Sequence, residues 1–144
     1  MSAALKRNKD IDGIFFLGDG LSSLETVLEV MPHIPVFAVR GNCDGLGVLK
    51  GQIRDTEGLV CLEGVKILYT HGHLYGVKTG LGALLREARI KEANLVLFGH
   101  THIPYDSYSD GIYCFNPGAA SGYESSFGII TLENGNILIS HGKL

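Results

Sequence analysis

Four apolar-rich runs, each followed by a polar cluster containing glycine, organise the first two thirds of this chain. Ile14 to Leu17 leads into Gly18-Asp19-Gly20, and Pro35 to Val39 leads into Gly41-Asn42-Cys43-Asp44-Gly45. Val65 to Tyr69 is followed by Thr70-His71-Gly72-His73, and Leu95 to Phe98 by Gly99-His100-Thr101-His102. Short apolar runs bounded by turn residues suit buried strands that close in tight turns. Between the runs, Leu21, Leu24, Leu28 and Met31 recur at helical spacing. Ser22 and Glu25 fit a capping box and Pro32 is a stop, so a helix is expected over Ser22 to Met31. Leu81, Leu84, Leu85 and Ala88 predict a second helix running to about Ala93. Leu59 to Leu62 and Val65 to Tyr69 read as a hairpin turning at Glu63-Gly64. Asp110-Gly111 and Asn134-Gly135 are further hairpin turns, with strands at Ile112 to Phe115, Phe127 to Leu132 and Ile137 to Ser140. Alternation of strand and helix followed by an antiparallel meander predicts an α/β fold with a mixed or two-layered sheet.

Composition narrows the function classes. The chain has 144 residues, 45% of them hydrophobic and 19% charged, which excludes disorder and fits a single domain spanning 1–144. A formal net charge of −3 excludes a strongly basic nucleic-acid grip and a polybasic membrane anchor. No stretch approaches the ~18 apolar residues of a membrane span, and the first residues carry no apolar signal region, so a cytoplasmic protein is expected. Cys43, Cys61 and Cys114 are odd in number and show no CxxC spacing, which indicates neither a disulfide framework nor a zinc knuckle.

The polar clusters carry the chemistry. Asp19, Asn42 with Asp44, His71 with His73, and His100 with His102 all fall just past strand ends, where open α/β sheets bind their ligands. Alone, each residue reads as an ordinary turn or cap residue: Asp19 as a turn aspartate, Asn42 as a left-handed turn residue. Four strand ends carrying the same donor class point instead to a divalent metal ion. Manganese is expected first, and iron, nickel and zinc suit the same oxygen and nitrogen donors. There is no GxxxxGK[ST] or GxGxxG loop to cradle phosphate, and no Cys–His–Asn order to make a nucleophilic cysteine.

Together with Asn116-Pro117-Gly118, these motifs stand in the order and rough spacing of the calcineurin-like metallophosphoesterases. From about Asp10 to His141 the chain resembles their small YfcE-like phosphodiesterase branch. The resemblance implies two mixed β-sheets packed as a sandwich with flanking helices. It also implies hydrolysis of small phosphodiesters by metal-activated water, with two ions in the family. Asp19 would bridge the ions, Asn42, His71 and His100 would complete the second, and His102 would belong to the first. Many members carry, after the motif asparagine, a histidine taken to protonate the leaving group; here Cys43 stands in that place. A thiol beside cations tends to ionise, so Asp44 or His73 is an alternative donor. The bland reading of Cys43 is a small apolar filler behind the site.

Members of the family begin with a strand ending in Asp-x-His, and this chain has no such motif. Met1 to Lys9 looks like the tail of the helix that follows that strand. An N-terminally truncated domain lacking the first strand is therefore expected. Its first metal site keeps only Asp19 and His102, one or two ions are held, and activity is weak or absent. An open strand edge would invite a homodimer. The alternative is a non-catalytic protein-interaction module, the use that the retromer subunit makes of the same scaffold. Specificity is expected to come from loops around Gly45 to Arg54 and Tyr105 to Tyr123.

Overall fold

The structure is a computed structural model that describes residues 2–45 and 53–144. Its centre is a five-stranded mixed sheet in the order β3-β4-β5-β7-β6. β3 (Glu57–Leu62) and β4 (Val65–Thr70) pair antiparallel, while β5 (Leu95–Phe98) runs parallel to both β4 and β7 (Ile112–Asn116). β6 (Tyr105–Ser109) closes the far edge antiparallel to β7. All four residues of β5 are buried, as a central parallel strand covered on both faces demands. The period of two then divides the core. Val65, Ile67, Leu95, Leu97 and Phe115 fill one face of the sheet, and Leu68, Val96, Phe98, Ile112 and Cys114 fill the other.

The second face is covered by α3 (Gly82–Ile90), which inserts Leu84 and Ala88. The first face is covered by strands: β1 (Ile14–Phe16) through Phe15, and the hairpin of β8 (Ser126–Glu133) and β9 (Asn136–Lys143) through Ile130, Leu132, Ile137 and Ile139. β1 pairs parallel with β2 (Val36–Ala38), and α2 (Leu21–Val30) packs outside that pair with Leu21, Leu24 and Val27. Leu5 of α1 (Ser2–Arg7) joins the same outer cluster. The sandwich with flanking helices that the sequence implies is therefore present. Its second layer differs from a single mixed sheet: among the described residues it is a parallel pair and an antiparallel hairpin held to the central sheet by side chains, with no ladder joining them.

The three expected hairpin turns form. Glu63, Asp110 and Asn134 and the glycine after each have positive φ, as two-residue turns of the primed type require. Two local expectations change. The second helix stops at Ile90, because Glu92 adopts a left-handed backbone before the chain reaches Ala93. Part of the expected Tyr105 to Tyr123 loop is β6, a mostly exposed edge strand without an apolar stripe to announce it. Of the other expected loop, residues 46–52 lie outside the described residues. No helix among the described residues is long and apolar enough to cross a membrane.

Candidate metal centre

The four polar clusters meet at one edge of the sandwich. β1 and β2 run parallel, so the turns after them, carrying Asp19 and Asn42, lie side by side. β4 and β5 are parallel as well and deliver His71 and His100 to the same end of the central sheet. One ligand atom each from Asp19, His71 and His100 lies within 4.8 Å of the other two.

Close approach of the first two turns depends on glycine. Gly18 has φ +90°, and a Cβ there would stand 2.6 Å from the Gly41 nitrogen and 2.7 Å from His71 Nδ1. A Cβ on Gly41 would collide with the Asp19 carboxylate. Gly18→Ala is therefore expected to lower the melting temperature and to weaken divalent-cation binding about tenfold or more, because the new methyl displaces His71, an effect of the size seen when ligand-orienting groups are lost. Thermal melts and cation titration of the variant check both effects.

His71 is the hub. Its ring is almost fully buried, at 1% exposure, and its Nδ1 lies 2.7 Å from the Leu17 carbonyl oxygen. A carbonyl can only accept, so Nδ1–H donates, and Nε2 is the ring nitrogen left to carry a lone pair toward the site. Around Nε2 lie Asn42 Oδ1 at 3.0 Å, His100 Nδ1 at 3.1 Å and Asp19 Oδ2 at 3.4 Å. The Asn42 amide is oriented by its own Nδ2, which points to Cys43 Sγ at 3.4 Å. Lone pairs of a carboxylate, an amide oxygen and an imidazole thus face one another, an arrangement that a cation relieves. The buried Nδ1 of His73, whose ring centroid lies 5.2 Å from that of His71, has no hydrogen-bond partner. This donor set fits a divalent ion. Burial pushes the His73 and His100 imidazoles below their ordinary pKa, helped by His71 at His73 and by Lys78 and His71 at His100. For His100 this favours the neutral form, the one that binds metal.

The other expected residues fall in different places. His102 is exposed, with φ 61°, and stands outside the group formed by Asp19, His71 and His100. Cys43 is exposed, so it is not an apolar filler behind the site. Its backbone N–H donates to Asp19 Oδ1 at 2.8 Å, and the Asp19 carboxylate pushes the thiol pKa up, helped by desolvation.

Asp44 departs furthest from expectation. It is buried, at 6% exposure, and accepts four backbone N–H groups. Oδ1 takes those of Gly20 (2.7 Å) and Leu21 (3.1 Å), and Oδ2 those of Asp19 and Gly41 (2.8 Å each). Burial pushes this carboxyl up, but the four N–H bonds outweigh it and hold its pKa below the ordinary value. An ionised carboxylate with both oxygens engaged cannot serve as the proton donor considered from sequence. It fastens the Asp19 turn to the Asn42 turn and caps α2. The expected Ser22–Glu25 capping box does not form: α2 starts at Leu21 after Gly20, so Ser22 sits inside the first turn, and no side chain of the cap residue bonds there.

Sequence reasoning also missed the anchor of His73. Its short 3-10 turn, His73–Tyr75, is tied down by Tyr75 Oη donating to Glu57 Oε2, while Lys91 binds the other oxygen of Glu57 at 3.0 Å.

Fold and site together define a two-layered α/β sandwich with a cluster of metal-ligating side chains at its strand ends. Over residues 1–142 the sequence matches the calcineurin-like phosphoesterase superfamily domain, and the chain belongs to that family. It is 34% identical over 135 residues to the probable metallophosphoesterase YsnB of Bacillus subtilis, covering 91% of this chain and 75% of that one. It is 35% identical over 102 residues to the phosphodiesterase YfcE of Escherichia coli K12, covering 66% of this chain and 52% of that one. The chain thus spans about half the length of the latter relative. Among solved structures, a predicted phosphoesterase from Streptococcus pneumoniae superimposes with TM-score 0.78 at 24% identity, covering 98% of this chain and 79% of that one.

Proposed function

We propose that this chain is a metal-dependent phosphodiesterase acting on small phosphodiesters, with residues 1–144 forming one domain. The observation that carries the reading is the convergence of Asp19, Asn42, His71 and His100 on a single point from four separate strand ends. We assign these four as ligands of one divalent ion, with manganese first and iron, nickel or zinc alternatives. His102, with Asp19, belongs to a second and weaker position. A bound ion at such a site activates water and neutralises charge developing on the phosphoryl oxygens.

The chain's own residues supply the rest. Leu17 fixes the His71 tautomer, so its lone pair needs no reorganisation when a cation arrives. Asp44 holds the turns carrying Asp19 and Asn42 at a constant separation. Of the three donors considered for the leaving group, Asp44 is committed to the backbone and Cys43 lies beside a carboxylate that opposes its ionisation. His73, whose ring centroid lies 5.2 Å from that of His71, is the remaining candidate, and we assign it to the leaving-group oxygen. The test is turnover of a bis-aryl phosphate by the full chain with added Mn²⁺, before and after chelation. Slow, chelator-sensitive hydrolysis is expected. Absence of Mn²⁺ and Zn²⁺ binding at millimolar concentration would overturn the reading. Binding without turnover would favour the interaction module on the same scaffold.

A further inference from the structure

The Asn116-Pro117-Gly118 motif has no part in the ligand set, yet its asparagine is fully buried beside the loop that carries His100 and His102. Both amide protons are used there. Nδ2 donates to the Gly99 carbonyl at 3.0 Å and to Thr101 Oγ1 at 3.0 Å, the two residues flanking His100. Gly118 N–H donates to Oδ1 at 2.9 Å, so all three bonds agree on which end of the amide is which. The asparagine is itself held from behind, because His141 Nε2 lies 2.8 Å from its backbone oxygen, which can only accept.

The loop needs such a clamp. His100 has φ 65° and His102 φ 61°, a left-handed backbone that non-glycine residues adopt at a cost and keep only when their surroundings over-determine it. Gly99 N–H donates to the His71 backbone oxygen at 3.1 Å, so a shift of Gly99 is felt at both imidazoles. We infer that Asn116 is a positioning residue for the cation site: it acts through Gly99 and Thr101 to hold His100 in the backbone geometry that aims its ring at His71 Nε2. The inference rests on the metal-site reading given above.

Asn116→Asp keeps the acceptor for Gly118 and removes both donors, whereas Thr101→Val removes one acceptor and leaves the asparagine intact. Zn²⁺ titration of the full chain is expected to give affinity 10- to 100-fold weaker for Asn116→Asp, the usual effect of losing a group that orients a metal ligand, with a smaller loss for Thr101→Val. Leu84→Ala in α3, destabilising but remote, serves as a control and is expected to leave Zn²⁺ affinity unchanged. Residual dipolar couplings over Gly99–Ile103 in the metal-free variants are expected to report a moved loop. If Zn²⁺ affinity stays within twofold of the parent in both variants, or the loop does not move, the inference is wrong. Should the parent bind no Zn²⁺, the metal-site reading fails, while the dipolar couplings still decide whether Asn116 sets the loop. Should Asn116→Asp not fold, Thr101→Val carries the test.

Discussion

Replacing His71 by Ala is expected to weaken divalent-cation binding about 100-fold or more, beyond the 10- to 100-fold loss typical of groups that only orient a ligand, and to remove phosphodiester turnover with it. The reason is its central position: Nε2 lies within 3.4 Å of Asn42, His100 and Asp19 alike. A hundredfold loss corresponds to ~2.7 kcal/mol, which is modest for deleting a direct ligand. The buried ring also fills space, so the variant is expected to melt lower even without metal. The informative quantity is therefore the rise in melting temperature caused by added Mn²⁺, since a ligand that binds only the folded state stabilises it by mass action. The parent should show that rise and His71→Ala should not; a variant that keeps it would place the cation elsewhere. Proton competition gives the same site a pH signature. Cation binding requires a neutral His100 ring, and burial, helped by Lys78 and His71, holds its pKa below the ordinary value. Protonation of His100 should therefore oppose binding only as pH drops through that lowered value.

The ligand cluster is legible in the sequence because two periodicities coincide there. Apolar runs such as Leu95 to Phe98 fix the strands, and each run is followed within three residues by a donor residue. Parallel pairing of β1 with β2 and of β4 with β5 then brings the stops together at one end. What is not legible depends on contacts between residues far apart in the chain. Ser22 and Glu25 satisfy a local capping rule, but Asp44, more than twenty residues away, accepts the Gly20 and Leu21 N–H groups with a full negative charge, and the helix begins at Leu21. A charged acceptor at a helix N-terminus outcompetes a hydroxyl, and nothing near Ser22 announces it. β6 is hidden for the opposite reason: an exposed edge strand needs no apolar alternation, so Tyr105 to Ser109 reads as loop. The separation of His102 from His100 is equally invisible. Two residues apart in a strand would share a face, but left-handed φ at both turns the loop away from strand geometry.

Asp44→Ala is expected to be the most destabilising single change at this end of the molecule. The substitution strands four backbone N–H groups, those of Asp19, Gly20, Leu21 and Gly41. Hydrogen bonds to a charged group contribute roughly 1.5–3 kcal/mol each, and water can reach some of the orphaned donors, so a loss of about 3 kcal/mol or more is expected. Asp44→Asn should do little better, because its amide NH₂ must point at backbone donors on one side. The sign of the pH dependence follows from the depressed carboxyl pKa in the folded protein. Stability from this group is fully present above the unfolded value, about 3.9, and is lost as pH falls through the folded value. Parent and Asp44→Ala should thus differ most in urea midpoint near pH 7 and converge at strongly acid pH. A constant difference across that range would mean that shape rather than charge is what Asp44 contributes. The same variant bears on function, because the Asp19 and Asn42 turns are fastened to each other through this carboxylate. Cation affinity should therefore fall together with stability, whereas Leu84→Ala lowers stability alone.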